Sequence, residues 1–143
     1  MASTEMLVEL VSKLETRWRW NALSVDGHAW RWLDTAADGP TVVLLPGSVG
    51  DGAMFARTLD ALGERLRLIA VTYPALSDAP RLAAGLRVVF EHLGLPPSIV
   101  VGSSFAAWWG QFFALAHPEL VRKLVIGNGF TDASDLAANP LFD

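Results

Sequence analysis

Apolar residues near the start of the chain recur every three or four positions, at Met6, Leu7, Leu10, Val11 and Leu14. That is one face of an α-helix, and with Ser3 or Thr4 as its N-cap the spacing predicts a short amphipathic helix over residues 4–15. The period then falls to two. Residues 17–25 and 28–34 alternate apolar and polar around Asp26-Gly27, a dipeptide that closes hairpins because it tolerates positive φ. Trp18, Trp20, Trp30 and Trp32 are expected in these strands, packing their large apolar area against neighbouring elements.

Beyond the turn-forming run 36–40 the alternation gives way to unbroken apolar stretches. Thr41–Leu45 reads as a strand buried on both faces and ends at Pro46-Gly47. A helix over 53–62 follows, then a buried strand over 66–72 ending at Tyr73-Pro74, and an amphipathic helix over 81–93 closed by Gly94. A third buried strand (98–101), a helix (Phe105–Ala116) and a fourth strand (121–126) complete the order. Strands buried on both faces that alternate with helices indicate a parallel sheet covered on each side. The fold class is α/β: a mostly parallel sheet with an N-terminal antiparallel hairpin and helices on both faces. Residues 1–143 read as one domain, with residues 16–35 as the hairpin, 41–134 as the α/β core and 135–143 as the start of a lid segment.

Composition narrows the function classes. With 52% hydrophobic and 18% charged residues, the chain is too apolar to be disordered. The net charge of −4, with no basic cluster beyond Arg17 and Arg19, argues against a nucleic-acid partner. The absence of cysteine removes disulfides and thiolate metal sites; no metal and no cofactor is called for. The first residues carry acids and no continuous apolar core, unlike a signal peptide, and no run reaches the length of a membrane span. A cytoplasmic location is the expectation.

The chemistry concentrates at Gly102-Ser103-Ser104-Phe105-Ala106. A nucleophile between strand and helix needs a sharp, strained turn, with small residues two positions before and after it so that the backbones can approach. Gly102 and Ala106 satisfy this for Ser104. For Ser103 the flanking positions would be Val101 and Phe105, which are too bulky, so Ser104 is the candidate nucleophile. The alternative is a tight strand–helix turn of small residues without chemistry. An oxyanion needs donors: the Phe105 N–H at the helix start, and a second from the loop 46–52, where three glycines let the backbone close in and the Ser48 N–H is the first choice. Val49 in that loop and Trp108 on the following helix are expected to line a substrate pocket.

With these stretches in order, the chain resembles the N-terminal half of the α/β-hydrolase fold, and within it the maspardin family. The matching residues are Leu45-Pro46, Gly50 and Phe55; Tyr73-Pro74 and Asp78; Gly85-Leu86-Arg87 and His92-Leu93; Gly102-Ser103-Ser104 and Gln111; and Leu124-Val125-Ile126, Asn128, Phe130 and Asp132. The resemblance implies a cytosolic protein of that fold. It departs from the commoner pattern at Pro46-Gly47, where many such enzymes have His-Gly, and at Ala106, where glycine is commoner.

In that fold the acid and the histidine follow the nucleophile on later strands. His28, His92 and His117 read as structural or surface residues, and Asp132 as either the acid or a helix cap. Leu124-Val125-Ile126 is expected in the outermost strand (121–127), apolar and without Lys or Pro at its centre, a pairing liability. The expectation is therefore a piece of a longer or nicked protein, or a chain whose edge is covered by a complementary C-terminal segment or second chain, with little turnover by itself. The leading function is a serine hydrolase acting on a small, apolar ester-like or amide substrate, with its histidine and acid on other residues. The alternative is a non-catalytic binding protein on the same scaffold.

Overall fold

The computed structural model describes residues 2–48, 50–132 and 134. Its elements are α1 (Ala2–Arg17), β1 (Trp20–Val25), β2 (His28–Asp34), β3 (Thr41–Leu45), α2 (Ala56–Leu62), β4 (Arg67–Thr72), α3 (Ala79–Leu93), β5 (Ser98–Ser103), α4 (Phe105–Ala116) and β6 (Val121–Gly127). The six strands form one sheet in the order β1-β2-β4-β3-β5-β6. The hairpin is antiparallel and meets β4 antiparallel, while β4, β3, β5 and β6 run parallel. Asp26 and Gly27 both take positive φ, 50° and 75°, as the two-residue turn requires.

The strand pattern sorts the core into two layers. On one face Trp30, Trp32, Val43, Leu45, Ile69 and Val71 pack under α3 and α4. On the other, Leu33, Val42, Leu44, Leu68 and Ala70 meet Leu14 of α1 and Leu59 of α2. β3 is buried along its whole length, as its unbroken apolar run demands. At the amino end of the sheet, Arg67 holds the Asp34 carboxylate with two hydrogen bonds of 3.1 and 2.7 Å, which raises the arginine pKa further and ties β2 to β4.

Several boundaries differ from the sequence reading. α1 runs on to Arg17, so Trp18 follows a helix rather than opening a strand; its N–H still bonds Leu14 O at 2.8 Å. Arg17 caps this end by pairing with Glu64 and lying over the Trp18 ring. The expected helix over 53–62 starts as a 3-10 turn, Gly52–Phe55, capped by Asp51, and only then becomes α2. α3 begins two residues earlier than expected, because the Asp78 side chain caps it through Arg81 N–H and Pro80 fits its first turn. α4 is apolar nearly all round, yet Phe112 and Leu115 are exposed: the helix lies in a layer on one face of the sheet and buries one side only. Residues 135–143, where a lid segment was expected, lie outside the described residues.

Candidate active site

The carboxyl ends of the parallel strands make a crevice at β3. From β3 the chain crosses to one face of the sheet through α2, while β4 and β5 feed α3 and α4 on the other. Loops leaving adjacent strands in opposite directions open such a crevice, where α/β folds place ligands. The loop after β3 and Ser104 after β5 both lie there.

Ser104 has φ 54° and ψ −116°, a backbone state that L-residues avoid and that costs about 1–3 kcal/mol. Three contacts hold it. Its N–H donates to Gly127 O at 2.9 Å, its carbonyl accepts from Ala107 N–H at 3.0 Å, and Gly102 allows α4 to close in. A Cβ on Gly102 would lie 2.5 Å from Ala106 O. Ala106 and Ala107 are fully buried, and the segment after β6 passes so near that a Cβ on Gly129 would lie 2.4 Å from Ala107 Cβ. Gln111 clips this segment to α4, donating to both Ala107 O and Phe130 O at 3.0 and 2.9 Å.

Phe105 is the first residue of α4, so its N–H has no preceding turn to bond and sits at the positive end of the helix dipole. Ser48 and Phe105 line one small pocket, of about 50 Å³, with Gly50, Tyr73, Pro74 and Leu76. Gly47 packs directly on Ser104: its Cβ, if present, would stand 3.4 Å from Ser104 Cβ. Val49 lies outside the described residues. Trp108 does not border that pocket; it stacks on Phe130 at 5.7 Å and meets Phe105 and Phe112 edge or tilted.

Tyr73, read from the sequence only as the end of a strand, organises the loop. Its hydroxyl reaches Pro46 O at 2.8 Å and Gly47 O at 2.7 Å, and its N–H donates to Gly50 O at 3.1 Å. Gly50 has φ 70°, and a Cβ there would stand 3.0 Å from Tyr73 O. A residue at the carboxyl end of a central parallel strand was the signal available for it. Burial pushes the phenol pKa from 10.0 up to about 12. Because the folded value lies above the unfolded one, stability is intact below pH ~10 and falls as pH rises toward 12, by about 3 kcal/mol in all. Tyr73 is the only tyrosine, so phenolate absorbance reads it alone. A midpoint near 12 in native protein and near 10 in urea is the expected result; one native midpoint near 10 would contradict the buried contacts.

The histidines stand apart from Ser104. His117 ends α4, about 18 Å along a twelve-residue helix, against Phe113 and 3.8 Å from Glu119. His92 packs on Trp32 at 5.8 Å. His28 opens β2, which pairs Arg31 with Thr72, so it overhangs the same carboxyl edge as Ser104. Three strand spacings separate them, about 14 Å. Asp132 is exposed, and its Oδ1 accepts from Ser134 N–H at 2.9 Å and Ser134 Oγ at 2.8 Å. Those bonds hold its pKa below the usual carboxylate value, the arrangement of a local cap.

The chain superposes on solved structures over most of its length. A probable hydrolytic enzyme of Pseudomonas aeruginosa superposes with a TM-score of 0.70 at 24% identity, over 86% of this chain and 45% of that one. The fold is that of the α/β hydrolases. Among curated proteins, a putative carbamate hydrolase RutD of Caulobacter sp. is 31% identical over 106 residues, 67% of this chain and 40% of the relative. A pimeloyl-[acyl-carrier protein] methyl ester esterase of Chromobacterium violaceum is 31% identical over 100 residues, 66% and 39% respectively. The chain thus spans about two fifths of the length of these relatives. No family model matches it. Within this α/β-hydrolase fold, Ser104 stands at the strand–helix turn after β5. Among the described residues no helix is long and apolar enough to cross a membrane.

Proposed function

We propose that the chain carries the nucleophile and oxyanion site of a serine hydrolase acting on carboxylic esters or amides through an acyl-enzyme. The observation that carries this reading is the strained backbone of Ser104, φ 54°, beside a pocket bordered by both Ser48 and Phe105. A strain of that size at a turn between buried elements persists where the surroundings enforce it.

In the proposed reaction Ser104 Oγ bonds to the substrate carbonyl carbon and gives its proton to a histidine. The carbonyl oxygen takes the negative charge and is held by the N–H groups of Phe105 and Ser48. The carbonyl re-forms, the bond to the leaving alcohol or amine breaks, and the histidine's proton leaves with it. Water then attacks the acyl-enzyme, its proton passing through the same histidine to Ser104 as the acid product departs. The fixed N–H dipoles serve the charged intermediate more than the ground-state carbonyl, which is what accelerates the step.

The histidine must come from residues other than His28, His92 and His117, given their placement. Asp132 follows β6 and is the acid this segment offers, although its bonds to Ser134 favour a capping role. Among the described residues the outer edge of β6 pairs with no strand, which fits that arrangement. Val125 and Ile126 are exposed, and a further strand, from a C-terminal segment or a complementary chain, would cover them and bring later residues toward Ser104. Hydrogen exchange in the whole protein is expected to find the β6 amides pointing away from β5 protected. Fast exchange of those amides would remove this part of the proposal.

The distance of all three histidines from Ser104 also favours a second reading, a non-catalytic, maspardin-like binding protein on the same scaffold. A fluorophosphonate probe separates the two. Labelling of the whole folded protein at Ser104, located by peptide mass spectrometry, supports the hydrolase; folded protein that stays unlabelled supports the binding protein.

A further inference from the structure

A second concavity, about 160 Å³, lies between the hairpin tip and α3, bordered by Asp26, His28, Trp30, Leu76, Arg81 and Gly85. It is built into the fold rather than left on its surface. Its floor is the buried indole of Trp30, which lies so close to α3 that a Cβ on Gly85 would stand 2.4 Å from the ring. Two potentially cationic groups meet at its rim: Arg81 Nη2 is 3.5 Å from His28 Nε2. Among the described residues Arg81 has no carboxylate within ion-pair distance. Of the neighbouring acids, Asp78 spends its Oδ1 on the Arg81 backbone N–H, and Asp26 sits exposed in the turn. Guanidinium offers five donors in a planar fork that suits a carboxylate, and only one is engaged here.

Leu76 borders both this cleft and the small pocket beside Ser48 and Phe105. Both open at the carboxyl edge of the sheet, so one elongated molecule can lie across Leu76 with an end in each. The span from β5 to β2 is about 14 Å, or roughly ten single bonds of extended chain.

We infer that the cleft is a subsite for a carboxylate: Arg81 and His28 bind the free acid end of a substrate whose reacting carbonyl sits at Ser104, about ten bonds away along an apolar chain. Trp30 and Leu76 supply the apolar path, and the guanidinium–carboxylate pair sets the polarity of the far end. The placement at Ser104 rests on the hydrolase reading; the carboxylate site itself does not.

The test uses the whole protein carrying Ser104→Ala, titrated by amide NMR with monomethyl sebacate and, in parallel, with the neutral methyl 10-hydroxydecanoate. The carboxylate is expected to shift residues 25–30 and 81–88 and to bind at least tenfold more tightly than the neutral ester. Arg81→Gln, a change at an exposed side chain that leaves the core intact, is expected to weaken it at least tenfold, and His28→Gln to a lesser degree. Equal affinity for the two esters, shifts confined to other parts of the molecule, or an Arg81→Gln protein that binds as before would each overturn the subsite. Fluorophosphonate labelling of an Arg81→Gln protein that retains Ser104, beside the unsubstituted parent, keeps the two ideas apart. Absence of labelling in this protein and the parent alike sinks the catalytic reading and leaves the carboxylate site standing on its own titration.

Discussion

Ser104→Ala is expected to lower ester hydrolysis by the whole protein by a factor on the order of 10⁴–10⁶ and to abolish fluorophosphonate labelling. The alanine removes one oxygen and leaves the donors of Phe105 and Ser48 in place, so substrate affinity should change little while turnover collapses. A variant that retained more than about a tenth of the parent rate would place the nucleophile elsewhere. Ser104→Gly adds an independent check on the same position. Glycine accepts φ 54° without the penalty a Cβ brings, so it should raise the urea midpoint by an amount equivalent to about 1 kcal/mol while being equally inactive. Stability gained as chemistry is lost would show that the strain at this turn is retained for the position it gives the hydroxyl. Equal stability of the Ala, Gly and parent proteins would mean that the turn is relaxed and the argument from strain fails.

The parts of this site legible in the sequence were those written in local residue chemistry. Small residues at 102 and 106 singled out Ser104 over Ser103, and the structure puts Ser104, not Ser103, at positive φ. Asp26-Gly27 announced its own turn, and the apolar run Thr41–Leu45 its burial. What escaped was carried by groups distant in sequence. Nothing around Tyr73 says that its hydroxyl will meet carbonyls 26 and 27 residues earlier. Trp18 looked like a strand residue because its neighbours alternate, but α1 runs on to Arg17, whose side chain pairs with Glu64, and Trp18 follows the helix. His28 seemed remote from the chemistry until the antiparallel register of β2 on β4 carried the hairpin tip past the carboxyl edge. Trp108 was counted toward the pocket by its size and place on α4, yet its ring direction is set by Phe130, twenty-two residues on.

Gly102→Ala should be a strongly damaging single-methyl change in the core, and Gly110→Ala, eight residues away, should act in the opposite direction. At Gly102 the new Cβ would lie 2.5 Å from Ala106 O, 2.9 Å from Ala106 C and 3.1 Å from Ala107 Cα. All three are backbone atoms of α4, so no rotamer change relieves the clash. The helix must lift from β5, and with it the Phe105 N–H and the turn that strains Ser104. A loss of about 3 kcal/mol in urea unfolding is expected, together with loss of labelling in the fraction that still folds. At Gly110, within the same helix, the nearest atoms to a new Cβ are Leu45 Cδ1 and Leu124 Cδ1, both at 3.9 Å, an ordinary contact. There the methyl adds packing and removes backbone freedom from the unfolded chain, so a gain of about 0.5–1 kcal/mol with labelling unchanged is expected. Two substitutions of identical chemistry would then differ by about 4 kcal/mol, most of it from the close approach of α4 to β5 at Gly102. Equal effects from the pair would mean that the helix does not sit as close to Gly102 as the elbow needs, and the case for Ser104 as a nucleophile would lose its geometric basis.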